Sequence, residues 1–150
     1  MNMSNANVLF ENRALIAPFL AWAIAQMSKT VYELIKERKL VLSRLVSSGG
    51  MPSSHSALVS GLATATGRIM GVGSAEFAIT VVLAGIVMYD AAGVRRAVSI
   101  QARILNQMID EAFQGHPMAE KRLRELIGHT PIQVFVGALL GIVVGLLITL

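Results

Sequence analysis

The sequence predicts an all-α, polytopic integral membrane protein, a helical bundle of about four transmembrane helices joined by interfacial amphipathic helices. Three observations carry this. Apolar residues make up 54% of the 150 residues and charged residues 15%, where an ordinary soluble domain has about 25% charged. Mean hydropathy is +0.62, and a single domain this short has too little interior to hide that much apolar surface from water. The apolar residues also fall in blocks separated by basic segments, with a net charge of +4. A pI near 10.0 would suit a nucleic-acid binder, but the cations lie between apolar spans and no aromatic stacking pattern accompanies them. Membrane topology accounts for them better. Cysteine is absent, which excludes a disulfide framework and thiolate metal sites. No cleavable signal peptide is expected, because the first apolar run follows Glu11 and Arg13 and ends without a small-residue cleavage site.

Each element follows from its residues. The first span is expected at 8–28. The uncharged run Ala14 to Ser28 is short for the ~20 residues a span needs, and Val8 to Phe10 supply the rest. Trp22, near its middle, is expected to pack on another helix. Residues 29–53 are expected to be cytoplasmic. There Lys29, Glu33, Lys36, Glu37, Arg38, Lys39 and Arg44 alternate with Val31, Leu34, Ile35, Leu40 and Leu42, as in a helical extension lying at the headgroups. The second span, 54–71, carries small residues (Ser56, Ala57, Ser60, Gly61, Ala63, Ala65, Gly67) that let helices approach closely. Gly71-Val72-Gly73-Ser74 reads as a turn, with Ser74 as N-cap of a third span, 75–93. Residues 94–130 are again cytoplasmic, with an amphipathic helix from Ser99 to Phe113, a break at Gly115-His116-Pro117 and a short charged helix from Met118 to Ile127. The fourth span, 131–150, carries a ladder of Gly137, Gly141 and Gly145, a face for close contact within the chain or with a second copy in a homo-oligomer. By the positive-inside tendency both basic segments face the cytoplasm and both termini lie outside, in what is expected to be a bacterial inner membrane.

That topology gathers the chemically active residues on one face. Gly49-Gly50-Met51-Pro52-Ser53-Ser54-His55-Ser56 looks like an anion site at the mouth of a helix. Pro52 suits a first turn, Ser53 and Ser54 bring hydroxyls to the unpaired N–H groups, and His55 titrates near neutrality. Asp90 ends the apolar run Phe77 to Tyr89, and a carboxylate there is costly unless it has a function or a polar partner. Arg95 and Arg96 follow, and His129 precedes Pro131. Two histidines with cations between them suit phosphoryl transfer. The cations neutralise phosphoryl oxygens, one neutral imidazole attacks phosphorus and the other protonates the leaving oxygen. No metal and no cofactor is called for, because a metal-dependent phosphatase needs several carboxylates and Asp90 is the acidic residue at the cytoplasmic span ends.

Three segments, GGMPSSHSA at 49–57, MYDAAGVRR at 88–96 with Gln101 and Asn106 after it, and GHTPIQVFVGALLG at 128–141, resemble the divergent branch of the type-2 phosphatidic acid phosphatase superfamily. That superfamily is related to acid phosphatases and vanadium-dependent haloperoxidases. Ala25-Gln26 followed by Lys29 also fits. The resemblance implies that Pro52 to His55 corresponds to a PSGH motif, with Ser54 at the usual glycine and His55 as general acid. Lys29 with Arg38 matches the first superfamily motif loosely, two residues too long and without the following proline. His129 corresponds to the nucleophile of the third motif, with Gln133 at its aspartate and Leu123 at its arginine, flanked by Arg122 and Arg124. Asp90 and Arg95 or Arg96 would then supply the missing functions from another helix.

The expected activity is hydrolysis of a phosphomonoester or diphosphate on a lipid: phosphatidic acid, phosphatidylglycerophosphate or an isoprenyl phosphate. His129 attacks, His55 protonates the leaving group and Asp90 orients the nucleophile. Lys29, Arg38, Ser53, Ser54, Arg95 and Arg96 bind phosphate. The competing expectation is a non-enzymatic protein that binds or moves anionic lipid with the same site.

Overall fold

The computed structural model describes residues 11–37, 50–113 and 128–150, and every regular element among them is α-helical. In chain order these are α1 (Arg13–Glu37), α2 (Ser54–Met70), α3 (Ala75–Ala92), α4 (Val94–Phe113) and α5 (Pro131–Ile148). Arg38, His116 and the expected helix from Met118 to Ile127 lie outside the described residues.

Three stretches are long and apolar enough to cross a membrane: Arg13–Tyr32, Ala75–Ile109 and Pro131–Ile148. The expected fourth, now α2, is 17 residues long and is not among them. Ser54, Ser56, Ser60, Thr64 and Thr66 lower its hydropathy. The reason is its position. α1, α3 and α5 all pack against α2, so its surface meets protein, where hydroxyls and glycines allow close approach. The outward faces tell the opposite story: Ile79, Val82 and Ile86 on α3 are more than half exposed, as suits lipid contact and not water.

Packing around α2 uses minimal side chains. Ala17, Ala21 and Ala25 recur every four residues along α1 and are fully buried, one stripe of an α-helix. Trp22 is one residue, about 100°, from that stripe and is 39% exposed. Part of its surface therefore lies on the outside of the bundle, where the sequence suggests packing on another helix. α1 also continues unbroken through Lys29, where the sequence places the end of the first span. No glycine or proline interrupts Phe19 to Glu37, and Lys, Glu and Leu sustain a helix.

α2 and α5 run parallel, because Gly137, Gly141 and Gly145 meet Ser53, then Ala57 and Ser60, then Gly61 and Thr64. A Cβ on Gly137 would fall on the Ser53 carbonyl, and one on Gly141 on Ser60 Oγ and the Ala57 carbonyl. Ser60 Oγ sits 2.9 Å from the Ala138 carbonyl across this seam. The glycine ladder is therefore filled by contacts within the chain. The turn at 71–74 forms as expected, with Gly71 at φ +89 and Ser74 accepting the Phe77 N–H at 3.1 Å.

Candidate functional site

The parallel course of α2 and α5 brings two helix N-termini to one end of the bundle. Their positive dipole ends converge there, joined by the Ser53 N–H donating to the Gln133 carbonyl at 3.0 Å. α1 and α3 run the other way, so Lys29 in the later part of α1 and Asp90 near the end of α3 reach the same level.

The entrance to α2 differs from expectation in one respect. The helix begins at Ser54 with Ser53 as N-cap, so Pro52 lies before the helix and not in its first turn. Ser53 Oγ accepts the Ser56 N–H at 3.3 Å and the Ser56 hydroxyl at 3.0 Å. With the cap formed by Ser53, Ser54 is released for another partner. Lys29, 4% exposed, donates from Nζ to Ser54 Oγ at 3.2 Å and to Gln26 Oε1 at 2.8 Å. A buried ammonium costs several kcal/mol when left without hydrogen bonds, and these oxygens hold it against the start of α2. His55, the next residue, is exposed and lies within electrostatic reach of Arg95, Lys29 and Asp90.

Asp90 and Arg95 span the α3–α4 junction at Gly93. The Arg95 Nε–H donates to Asp90 Oδ2 at 2.7 Å, and both side chains are about two-fifths exposed. The carboxylate therefore holds an arginine. The sequence expects Asp90 to orient His129; in the structure Asp90 is paired with the cation five residues on, and the side chain beside His129 Nδ1 is that of Gln133. Arg95 also acts electrostatically on both histidines. Arg96 is exposed, and it is its backbone that packs, against Gly128.

His129 is set by backbone contacts. Its N–H donates to the Ala91 carbonyl at 3.1 Å. The preceding Gly128 donates to Ser99 Oγ at 3.0 Å and lies so close to the Arg95–Arg96 backbone that a Cβ would not fit. The next residue, Thr130, caps α5 in a capping box with Gln133, and Pro131 holds in the first turn of α5 the kind of position that the sequence suggests for Pro52 in α2. The His129 side chain is 2% exposed. Nδ1 lies 3.3 Å from Gln133 Oε1. Nε2 has no hydrogen-bond partner, and among the described residues it is the buried side-chain polar atom in that condition. Burial holds the imidazole below its ordinary value near 6.5, helped by the charges of Lys29, His55 and Arg95 and opposed by the Gln133 hydrogen bond. The ring is thus neutral at physiological pH.

Of the residues assigned from sequence, the structure brings together Lys29, Ser53, Ser54, His55, Asp90, Arg95 and His129. Arg96 stands at the margin, and Arg38 lies outside the described residues. Sequence reasoning missed what Gln133 and Gln26 do. The signal for Gln133 was legible as Thr130-x-x-Gln133 ahead of an apolar run, a capping-box pattern. For Gln26 the signal was its position three residues before Lys29, one helical turn. Among the described residues no group of three His, Asp or Glu is placed to hold a metal.

The chain is matched over residues 10–144 by the family model described as the Divergent PAP2 family. It is 40% identical to a protein of Bacillus subtilis (strain 168) named uncharacterized membrane protein YuiD, over 93% of this chain and 96% of that one. No solved structure matches it.

Proposed function

The chain belongs to the Divergent PAP2 family, and on that footing we propose that this integral membrane protein is a lipid-phosphate phosphatase acting through a phosphohistidine. One observation carries the reading: a buried, neutral imidazole, His129, whose Nε2 makes no hydrogen bond, at the end of the bundle where two helix N-termini, Lys29 and Arg95 converge. Leaving a buried nitrogen unpaired costs about 1–3 kcal/mol, and a catalytic role is among the few explanations for sustaining that cost.

His129 Nε2 attacks phosphorus and forms a P–N bond as the bond to the lipid oxygen breaks. His55, as imidazolium, gives that oxygen its proton and releases the lipid alcohol. Neutral His55 then takes a proton from water, which attacks phosphorus, breaks the P–N bond and frees inorganic phosphate. Lys29, Arg95 and the first-turn N–H groups of α2 neutralise the phosphoryl oxygens throughout. The substrate is phosphatidic acid, phosphatidylglycerophosphate or an isoprenyl phosphate, its tail among helices that present apolar faces to lipid. α2 completes a bundle of four spans with α1, α3 and α5, and the site faces the cytoplasm of a bacterial inner membrane.

The test is phosphate release by purified protein from a panel of these lipids in mixed micelles with chelator present. Wild type is expected to turn over at least one of them, and vanadate to inhibit competitively. If no lipid phosphate is hydrolysed while lipid still binds, the protein is an anionic-lipid binder and the enzyme reading is wrong.

A pH dependence follows from His129. The folded state holds its imidazole below the unfolded value of ~6.5, and the nucleophile must be neutral. The acid limb of kcat/KM is therefore expected below pH ~6.5. The same depression makes the folded state bind fewer protons than the unfolded one. Its contribution to stability is full above pH ~6.5 and is lost as pH falls through the folded-state value. An acid limb above pH ~7, assigned to His129, would contradict the burial argument.

A further inference from the structure

The capping box at the start of α5 has a chemical consequence. A backbone N–H only donates, and the Thr130 N–H lies 3.0 Å from the Gln133 side-chain atom assigned as Oε1. That atom must therefore be the oxygen and not the amide nitrogen. An amide oxygen only accepts. The His129 nitrogen that meets the same Oε1 at 3.3 Å must then carry the proton. Neutral imidazole has one N–H, so a proton on Nδ1 leaves the lone pair on Nε2, the buried nitrogen that makes no hydrogen bond.

We propose that Gln133 is a positioning residue that sets the tautomer of His129, using one oxygen to accept both the Thr130 N–H of the helix cap and the Nδ1–H of the nucleophile. It rests on the reading of His129 as nucleophile and adds to that reading a residue whose alignment with the superfamily motif suggested only a lost carboxylate. The amide does what a carboxylate would do for geometry, but without charge. Lys29 on α1, His55 on α2 and Arg95 on α4 all act on the ring as cations. Asp90 at the end of α3 is paired with Arg95, and the first turn of α5 has no acidic residue. A neutral partner in this setting keeps the imidazole unprotonated and nucleophilic to lower pH than a carboxylate would.

The experiment uses full-length protein with 15N-labelled histidine. The chain has three histidines, and His55→Gln and His116→Gln variants assign the His129 signals. Above pH ~7, long-range 1H–15N correlation is expected to report protonated Nδ1 and bare Nε2 in wild type. Gln133→Leu is expected to give a mixture of tautomers and a turnover loss of roughly 10- to 100-fold, by analogy with the loss when the partner orienting a metal-bound imidazole is removed. Thr130→Ala weakens the same cap but keeps the Thr130 N–H, and is expected to keep the tautomer. Gln133→Glu preserves acceptor and capping box, and is expected to keep the tautomer while moving the His129 titration and the acid limb upward. The proposal is overturned if Gln133→Leu retains protonated Nδ1. If that variant does not fold, it is overturned if Gln133→Glu leaves the His129 titration unmoved. A tautomer set by Gln133 in a protein that hydrolyses no lipid phosphate supports the positioning role and counts against the phosphatase reading.

Discussion

His129→Ala is expected to remove turnover by roughly 10^4-fold or more, the loss that follows removal of a covalent nucleophile, while leaving the protein folded. The second half of that expectation separates a reacting group from a structural one. Deleting a buried ring opens a cavity, and large-to-small substitutions of core residues cost about 2–5 kcal/mol. Deleting this ring also removes an unsatisfied buried nitrogen that itself costs about 1–3 kcal/mol. The one side-chain hydrogen bond lost, to Gln133 at 3.3 Å, is long. The bonds that fix the segment come from backbone groups, His129 N–H to Ala91 and Gly128 N–H to Ser99, and they survive the substitution. The two side-chain effects oppose each other, so thermal unfolding in detergent should shift by only a few degrees. A large fall in unfolding temperature with turnover preserved would make His129 a structural residue. His55→Ala offers the contrast. The side chain is exposed, so stability should not change. Turnover should fall by about 10^2- to 10^4-fold for lipid alcohol leaving groups, and far less for an aryl phosphate, whose leaving oxygen needs no proton.

Much of this arrangement is legible in the sequence because it is local. Ser74 and Thr130 act as caps within three residues of their partners, and apolar runs mark α1, α3 and α5 by composition. The site residues converge because antiparallel and parallel helices return to one end of the bundle, and alternation of basic and apolar blocks suggests that return. What the sequence does not encode is the choice among partners at the same level. Asp90 and Gln133 both stand near the site. Which of them meets His129 depends on Arg95 lying across the α3–α4 junction, where it takes the carboxylate, and on the α5 capping box aiming an amide oxygen back at residue 129. Pro52 misled for a related reason. Proline before a helix and proline in its first turn look alike in sequence, and the hydroxyl that closes the cap, that of Ser53, decides between them. The sequence places α2 in the bundle, but its hydroxyl-rich surface makes it the least apolar of the helices expected to span, because α1, α3 and α5 pack around it.

The packing of α5 on α2 carries the second large effect, at residues with no side chain. Gly137→Ala adds one methyl group and, on helix propensity alone, should stabilise α5 by up to about 1 kcal/mol. The geometry reverses the sign. The new Cβ would fall on the Ser53 carbonyl, and backbone cannot rotate away as a flexible side chain can. Overpacking of this kind costs about 1–3 kcal/mol or more, so thermal stability should fall. The functional loss should exceed what stability predicts. Ser53 begins the helix that carries His55 and donates its N–H to the Gln133 carbonyl, in the turn that holds His129. On the proposed mechanism, forcing α5 away from Ser53 separates His129 from His55, and a displacement near 1 Å costs about 100-fold in rate. Gly141→Ala, aimed at Ser60 and Ala57 deeper in the same seam, should destabilise comparably and impair turnover less, since it lies a full turn further from the site. Gly85→Ala in α3, where an added Cβ meets nothing within 4 Å, should be neutral or stabilising. The check is unfolding temperature and kcat for all three in one detergent. If Gly137→Ala behaves like Gly85→Ala, the helix starts are not coupled through this seam, and the site's two halves must be held together by some other means.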